Sequence, residues 1–322
     1  MNSRTATAEV TMPPAGEPEP PTPPTRTRPR RVTRRQRLVR LLFLLPLALY
    51  LPAIFAYPLA YNAWISFRKF DLRSLVTGAS DFVGLDNFVT VLQDETTMTA
   101  LRNTVIFTSV SLLVQYVVGL ALAMFFHQRF PLSGAMRSML ILPWLVPGVV
   151  TSTVWRWMFN DENGFINRLL EGVGGQPVSW LTSPTPALVA VTLVNIWVGI
   201  SFNMVLLHGG LGGIPGERYE AAKVDGASSW QRFRHVTLPG LRPVTGVVLI
   251  LGLVYTLKQV DIVWTLTRGG PGNSTQLLST WSYSLSFINN QFGQGAAVAD
   301  VLFLLSIGLV VLYATRQSGD KA

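Results

Sequence analysis

The chain has 322 residues, 49% of them hydrophobic and only 13% charged, with a net charge of +9 and no cysteine. A soluble domain carries about 25% charged residues, so this is the composition of a membrane protein. The missing thiols exclude disulfides, cysteine nucleophiles and thiolate metal sites, and His127, His208 and His235 are too scattered to read as a metal ligand set.

Residues 1–36 hold eight prolines and almost no large apolar side chains. Such a segment cannot bury enough surface to offset chain entropy, and it is predicted to be a disordered cytoplasmic tail. It is too long, and lacks the small-residue cleavage pattern, for a signal peptide. Nine arginines against three glutamates fall within residues 1–40, just ahead of the first apolar run. In that place basic charge orients a membrane helix and attracts anionic lipid, and does not indicate nucleic acid.

The rest, residues 37–322, reads as one transmembrane domain. Leu41 to Phe67, Asn103 to Phe126, Ser138 to Trp155 and Gly172 to Gly216 contain no Asp, Glu, Lys or Arg. Six helical spans are predicted, at about 41–62, 104–126, 138–155, 186–207, 244–266 and 296–315, each near the roughly 20 residues a bilayer requires. With the arginine-rich tail inside, both termini are cytoplasmic, and 18 Lys or Arg lie in inner segments against 7 in outer ones. That asymmetry obeys the positive-inside rule. The outer segments, 67–102, 156–185 and 268–295, show few signs of a separate domain.

Past the fourth span the glycine-rich run Gly209 to Gly216 is expected to turn the chain sharply. A polar loop follows, about 215–241, around "YEAAKVDGASSWQRFRHVTLPGLRP", Tyr219 to Pro243. Pro215 and Gly216 should open a helix and Pro239 should end one. Tyr219, Ala222, Gly226, Trp230 and Phe233, spaced by three and four, would share a face. Gly226 in mid-helix costs about 1 kcal/mol relative to alanine. Either the chain bends at Asp225-Gly226 or another backbone approaches closely there. A loop resting on the membrane surface would explain the aromatic stripe but not the small pair Ala222 and Gly226, which suits docking into a partner's groove.

In the fifth span Lys258 and Asp261, three apart, are expected to share a helix face. Intramembrane charges are functional candidates, and an internal ion pair is the structural alternative. Asp300 and Arg156 lie near span ends, where they can snorkel. Asn195, Trp197 and Asn203 in span four, with Tyr255 and Gln259 in span five, combine amides and aromatic faces as a sugar's hydroxyls and ring require. The structural alternative is interhelical hydrogen bonding and interface anchoring. No glycine-rich phosphate loop ending in Gly-Lys-Ser/Thr is present: "GGPGNST" lacks the lysine and "GVGGQP" lacks the dinucleotide pattern. With no nucleophile set or paired carboxylates, the chain is not expected to be an enzyme. ATP, if used, must bind elsewhere.

The loop resembles the EAA loop of inner-membrane permeases in binding-protein-dependent ABC importers, a pattern of E-A-A, two residues, D-G-A and a spaced L-P. Glu220, Ala221, Ala222, Asp225, Gly226, Ala227, Leu238 and Pro239 carry the match. "FVGLDNF", Phe82 to Phe88, "ALRNT", Ala100 to Thr104, and "LTRGGPGNST", Leu266 to Thr275, extend it in order over about residues 40–315. The resemblance implies an all-α, six-span permease of the type I ABC importer fold in a bacterial inner membrane. Its cytoplasmic coupling helix would sit in a cleft of the ATP-hydrolysing subunit. It further implies a second related permease, two ATPase subunits or domains, and an extracytoplasmic solute-binding protein. No cofactor is implied on this chain, with ATP and Mg held by the ATPase. The Gly-Gly-Pro stretch and the Asp after the alanines are similar to the carbohydrate branch and to the first permease of a pair. The long tail and Lys258 depart from the pattern. An ion-driven carrier using Lys258, Asp261 and Asp300 as a relay is the alternative from another class, and an intramembrane enzyme a third.

Overall fold

The computed structural model describes residue 43 and residues 45–128 and 130–319, so the tail of residues 1–36 lies outside the described residues. The chain divides into two units at Phe55/Ala56. In the described part of the first, residues 45–51 are helical and lead into a π-turn at Pro52–Ala56. The first expected span thus begins on residues that are not described.

The second unit starts with α1 (Tyr57–Ser66), whose Asn62 donates to the Asp300 carboxylate at 2.7 Å. A two-residue hairpin, β1 (Arg68–Lys69) antiparallel to β2 (Asp81–Phe82), pairs Arg68 with Phe82 and Lys69 with Asp81. It encloses the short α2 (Leu72–Thr77), capped at one end by Asp71, which accepts from Ser74 N, and at the other by Gly78 at φ 70°. After α3 (Asp86–Gln93), the Asp94 carboxylate accepts from Thr97 N at 2.9 Å and starts α4 (Glu95–His127). At 1.5 Å per residue, α4 is about 50 Å long, enough to cross a bilayer with turns to spare.

Helices α5 (Ser133–Leu145) and α6 (Gly148–Met158) meet at 98°. The expected straight span 138–155 is therefore broken. Pro147, the N-cap of α6, is the cause, since it holds Val146 extended. Then come α7 (Phe165–Gly172) and α8 (Pro184–Gly212). Helix α8 continues through Gly209, Gly210 and Gly212, so the glycine run does not end it early. At Gly210 the packing gives the reason: a Cβ there would lie 2.9 Å from Val244, so its hydrogen admits the helix that crosses it.

The polar loop holds α9 (Gly216–Val224) and α10 (Ser229–Arg232), and α10 runs through a π-turn (Phe233–Thr237) into α11 (Leu238–Leu257). Pro239 does not end a helix. It lies at the start of α11, just past the π-turn, and the helix runs on through it. Finally α12 (Asp261–Leu266), α13 (Leu278–Tyr283), a second π-turn (Ser284–Ile288) and α14 (Phe292–Gly319) complete the unit.

Among the described residues four helical segments are long and apolar enough to cross a membrane: Glu95–His127, Pro184–Gly212, Ser229–Leu266 and Phe292–Tyr313, with the bent α5–α6 pair a fifth. Helices α4 and α8 form the centre. Gly119 and Gly199 allow their contact: a Cβ at Gly119 would stand 2.6 Å from Asn203 Cβ, and one at Gly199 would strike the Gln115 amide. Gln115 Nε2 donates to the Asn195 carbonyl at 3.0 Å, a hydrogen bond between helices where water is absent.

Candidate coupling loop and membrane pathway

In the loop, α9 closes in a Schellman motif. Ala227 N donates to Ala222 O at 2.9 Å, Gly226 N donates to Lys223 O at 3.0 Å, and Gly226 sits at φ 75°. The residues Ala222, Asp225, Gly226 and Ala227 therefore encode a helix stop. A small C″ residue closes on a small C3 residue, and glycine takes the left-handed position. A Cβ on Gly226 would meet nothing within 4 Å, which decides between the two alternatives: the chain bends there, and no other part of it approaches.

Ser228 restarts the helix with a capping box. Its Oγ accepts from Gln231 N, and the Gln231 side chain accepts from Ser228 N at 2.7 Å. The turn splits the expected face of Tyr219, Ala222, Gly226, Trp230 and Phe233. Tyr219 and Phe233 pack with Val236 and Leu238 on a core of Leu120, Met204, Leu207 and Leu241, drawn from α4, α8 and α11. Tyr219 Oη also lies 3.1 Å from Thr237 Oγ1. Trp230 instead lies tilted against Phe233, with ring centroids 5.3 Å apart, and stays 66% exposed, and Val224 is 88% exposed. Glu220, Ala221, Asp225 and Pro239 are exposed beside them. The loop is thus fixed to three spanning helices on one side and presents uncovered apolar anchors on the other.

The other quoted stretches are structural joints. Asn87 donates to the carbonyls of Ser66 and Arg68, tying "FVGLDNF" to the end of α1. Asn103 donates to the carbonyls of Ser274 and Gln276, and Thr104 Oγ1 accepts from Leu278 N, so "ALRNT" holds "LTRGGPGNST" in place. Within the latter, Thr267 and Thr275 hydroxyls lie 2.7 Å apart.

The candidate pathway residues separate into two groups. Asn195 and Asn203 are buried at α4: Asn203 Nδ2 donates to Gly199 O at 2.8 Å, and Asn195 Nδ2 has no partner. Trp197 and Tyr255 are open. Trp197 meets Trp155 edge-on at 5.7 Å, while Tyr255 meets Phe202, which meets Trp144, at 5.7 Å and 5.5 Å. Trp144, Trp155 and Phe202 were not singled out by the sequence reading, because isolated aromatics in apolar runs carry no periodic signal.

Lys258 and Asp261 do not share a helix face. Helix α11 stops at Leu257 and α12 starts at Asp261, and the carbonyl of Gln259 freed by this break accepts from Ser279 Oγ at 2.7 Å. Lys258 Nζ sits 4.7 Å from the Tyr255 ring centroid, and Asp261 packs against Gly148, where a Cβ would lie 3.4 Å away. No ion pair joins the two charges among the described residues.

Residues 115–318 match the family described as the binding-protein-dependent transport system inner membrane component, more than half of the chain. The chain belongs to this family of permeases. The permease is 33% identical over 272 residues to the trehalose/maltose transport system permease protein MalF of Thermococcus litoralis, covering 84% of this chain and 91% of that one. It is 34% identical over 274 residues to the sulfoquinovosyl glycerol transport system permease protein SmoG of Agrobacterium fabrum, covering 84% and 88%. Among solved structures, a bacterial alginate ABC transporter in complex with an alginate pentasaccharide-bound periplasmic protein shares the fold, with a TM-score of 0.73 at 23% identity over 87% of this permease and 93% of that chain. The matched region includes the loop, α8 and α11.

Proposed function

We propose that this permease is one of two related membrane subunits of an ATP-driven importer for a carbohydrate or polyol. The observation that carries the reading is the loop: two helices joined by a Schellman turn, rooted on α4, α8 and α11, with Val224 and Trp230 uncovered. Exposed apolar anchors outside the bilayer suit a partner's cleft, and the partner would be an ATPase subunit holding ATP and Mg. Closure of two such ATPases would move the loop and, through the π-turn, α11, switching access to a cavity between the spans. Glu220, Ala221, Ala222, Asp225, Gly226, Ala227, Leu238 and Pro239 are proposed as coupling residues. Trp197, Tyr255, Gln259, Lys258 and Asp261, with Asn195 and Asn203 once the α4–α8 contact loosens, are proposed to line the path. A carbohydrate is supported by the named substrates of the relatives and by the open Trp197 and Tyr255 rings. Both termini are proposed to be cytoplasmic, with a solute-binding protein delivering the sugar to the opposite side.

The deciding experiment is purification of this chain in mild detergent from its own cells, with mass spectrometry of the proteins that accompany it. An ATPase and a second permease are expected. Recovery of the chain alone, still transporting in vesicles without ATP, would establish an ion-driven carrier instead.

A further inference from the structure

Between α9 and the α10 segment lies a notch of about 270 Å³, lined by Ala222, Asp225, Gly226, Ala227, Arg232 and His235 among others. Arg232 spans its wall. One Nη2 hydrogen is used, donated to Ser229 Oγ at 3.0 Å. The Nε–H has no exposed surface and no hydrogen-bond partner. A shielded guanidinium N–H without an acceptor is a costly arrangement, and a rotation of the Arg232 side chain that turns the Nε–H into the notch would relieve it once an acceptor is there. His235 Nδ1–H donates to Gln231 O at 3.0 Å, which fixes the ring beside it.

We infer that this notch seats the carboxylate of an Asp or Glu side chain of the ATPase subunit, with Arg232 as its anchor. The inference rests on the reading of the loop as the ATPase joint, and it names what that joint recognises. Arg232 and His235 lie outside the E-A-A, D-G-A and L-P positions. Three features select a carboxylate. Turned into the notch, the Nε and Nη2 edge of the guanidinium is a planar fork matched to two carboxylate oxygens. The notch, about 270 Å³, has room for a side-chain head and a few waters. Asp225 in the lining disfavours a dianionic phosphate more than a single carboxylate charge. The neighbouring exposed Trp230 and Val224 would exclude water around the pair once docked, the setting in which a buried arginine dominates an interface.

The test titrates purified ATPase against the permease pair in nanodiscs, with this chain carrying Arg232→Lys, Arg232→Gln or Arg232→Glu. The expected result is a dissociation constant raised more than tenfold by Arg232→Glu and by a smaller factor by Arg232→Lys, which keeps the charge but loses the fork. Changing one acidic residue of the ATPase cleft to Arg should restore binding of Arg232→Glu and not improve the unaltered chain. All three variants within twofold of the unaltered chain would overturn the inference, as would a loss that no acidic ATPase position rescues. A loss seen only in discs containing phosphatidylglycerol would assign the notch to a lipid phosphate and overturn it too. Trp230→Ala and Gly226→Val in the same titration separate the two levels. If they weaken docking and the Arg232 variants do not, only the carboxylate seat fails; if none weakens it, the joint itself fails.

Discussion

The Schellman turn at Gly226 allows backbone conformation to be separated from steric fit. Its φ of 75° is left-handed, and a Cβ would touch nothing within 4 Å, so any cost of substitution inside this chain is torsional. A β-carbon in that region costs about 1–2 kcal/mol, with alanine near the lower figure and β-branched valine near the upper, while asparagine tolerates it best. If docking requires the bent loop, that strain appears as lost affinity. About 2 kcal/mol corresponds to roughly 30-fold for Gly226→Val, and about 1 kcal/mol to roughly fivefold for Gly226→Ala. Gly226→Asn should bind better than Gly226→Ala despite its greater bulk. The assay is ATPase binding to reconstituted permease, with solute-stimulated ATP hydrolysis measured in parallel. An order set by size, with alanine best and valine and asparagine alike, would show that the partner's surface and not φ demands the glycine. Three substitutions without effect would refute the requirement for the bend.

Gly119→Ala should lower thermal stability by about 1–3 kcal/mol, the usual range for overpacking, because the new Cβ would meet Asn203 Cβ at 2.6 Å. Gly308→Ala on α14, where a Cβ meets nothing within 4 Å, is the control and should be neutral or stabilising in a detergent melt. Lys258→Ala and Asp261→Ala are each expected to slow uptake while assembly survives. Their double-mutant cycle should give a coupling below about 0.5 kcal/mol, as expected of groups that share no contact; a larger value would restore the ion pair. The Asp71 carboxyl is held below its ordinary value chiefly by the backbone and side-chain hydrogen bonds of Ser74. A depressed carboxylate contributes at neutral pH and loses its contribution as pH falls through the depressed range, so Ser74 amide protection should decline in acid. Asp71→Asn should flatten that profile, and protection that rises on acidification would contradict the assignment.

The start of α9 and the bend at Asp225-Gly226 were legible in the sequence because their signals are local. A proline and glycine ahead of a polar helical run, and a glycine within it that can bend the chain, each act within one or two turns. The features that were not legible depend on partners distant in the chain. The break after Leu257 has no proline or glycine to announce it, and is sustained by a hydroxyl twenty residues on, at Ser279. Pro239 looked like a stop because proline usually is one. In the structure a π-turn precedes it and the helix runs on through it. The bend at Pro147 could have been anticipated, but an uncharged run conceals a corner as easily as a straight helix. Asn195 and Asn203 share a helix with Trp197, and composition alone does not tell which side of that helix meets α4.

The π-turn at Phe233–Thr237 also sets an angle. Each residue added to a helix rotates the downstream turns by about 100° about the axis, so a single inserted residue fixes the azimuth of Trp230 relative to Tyr255 on α11. Deleting one residue there would leave both flanking helices intact and swing Trp230 by about a quarter turn. The compass bearing of Trp230 about the spanning helix is thus written as a residue count in the turn that joins them.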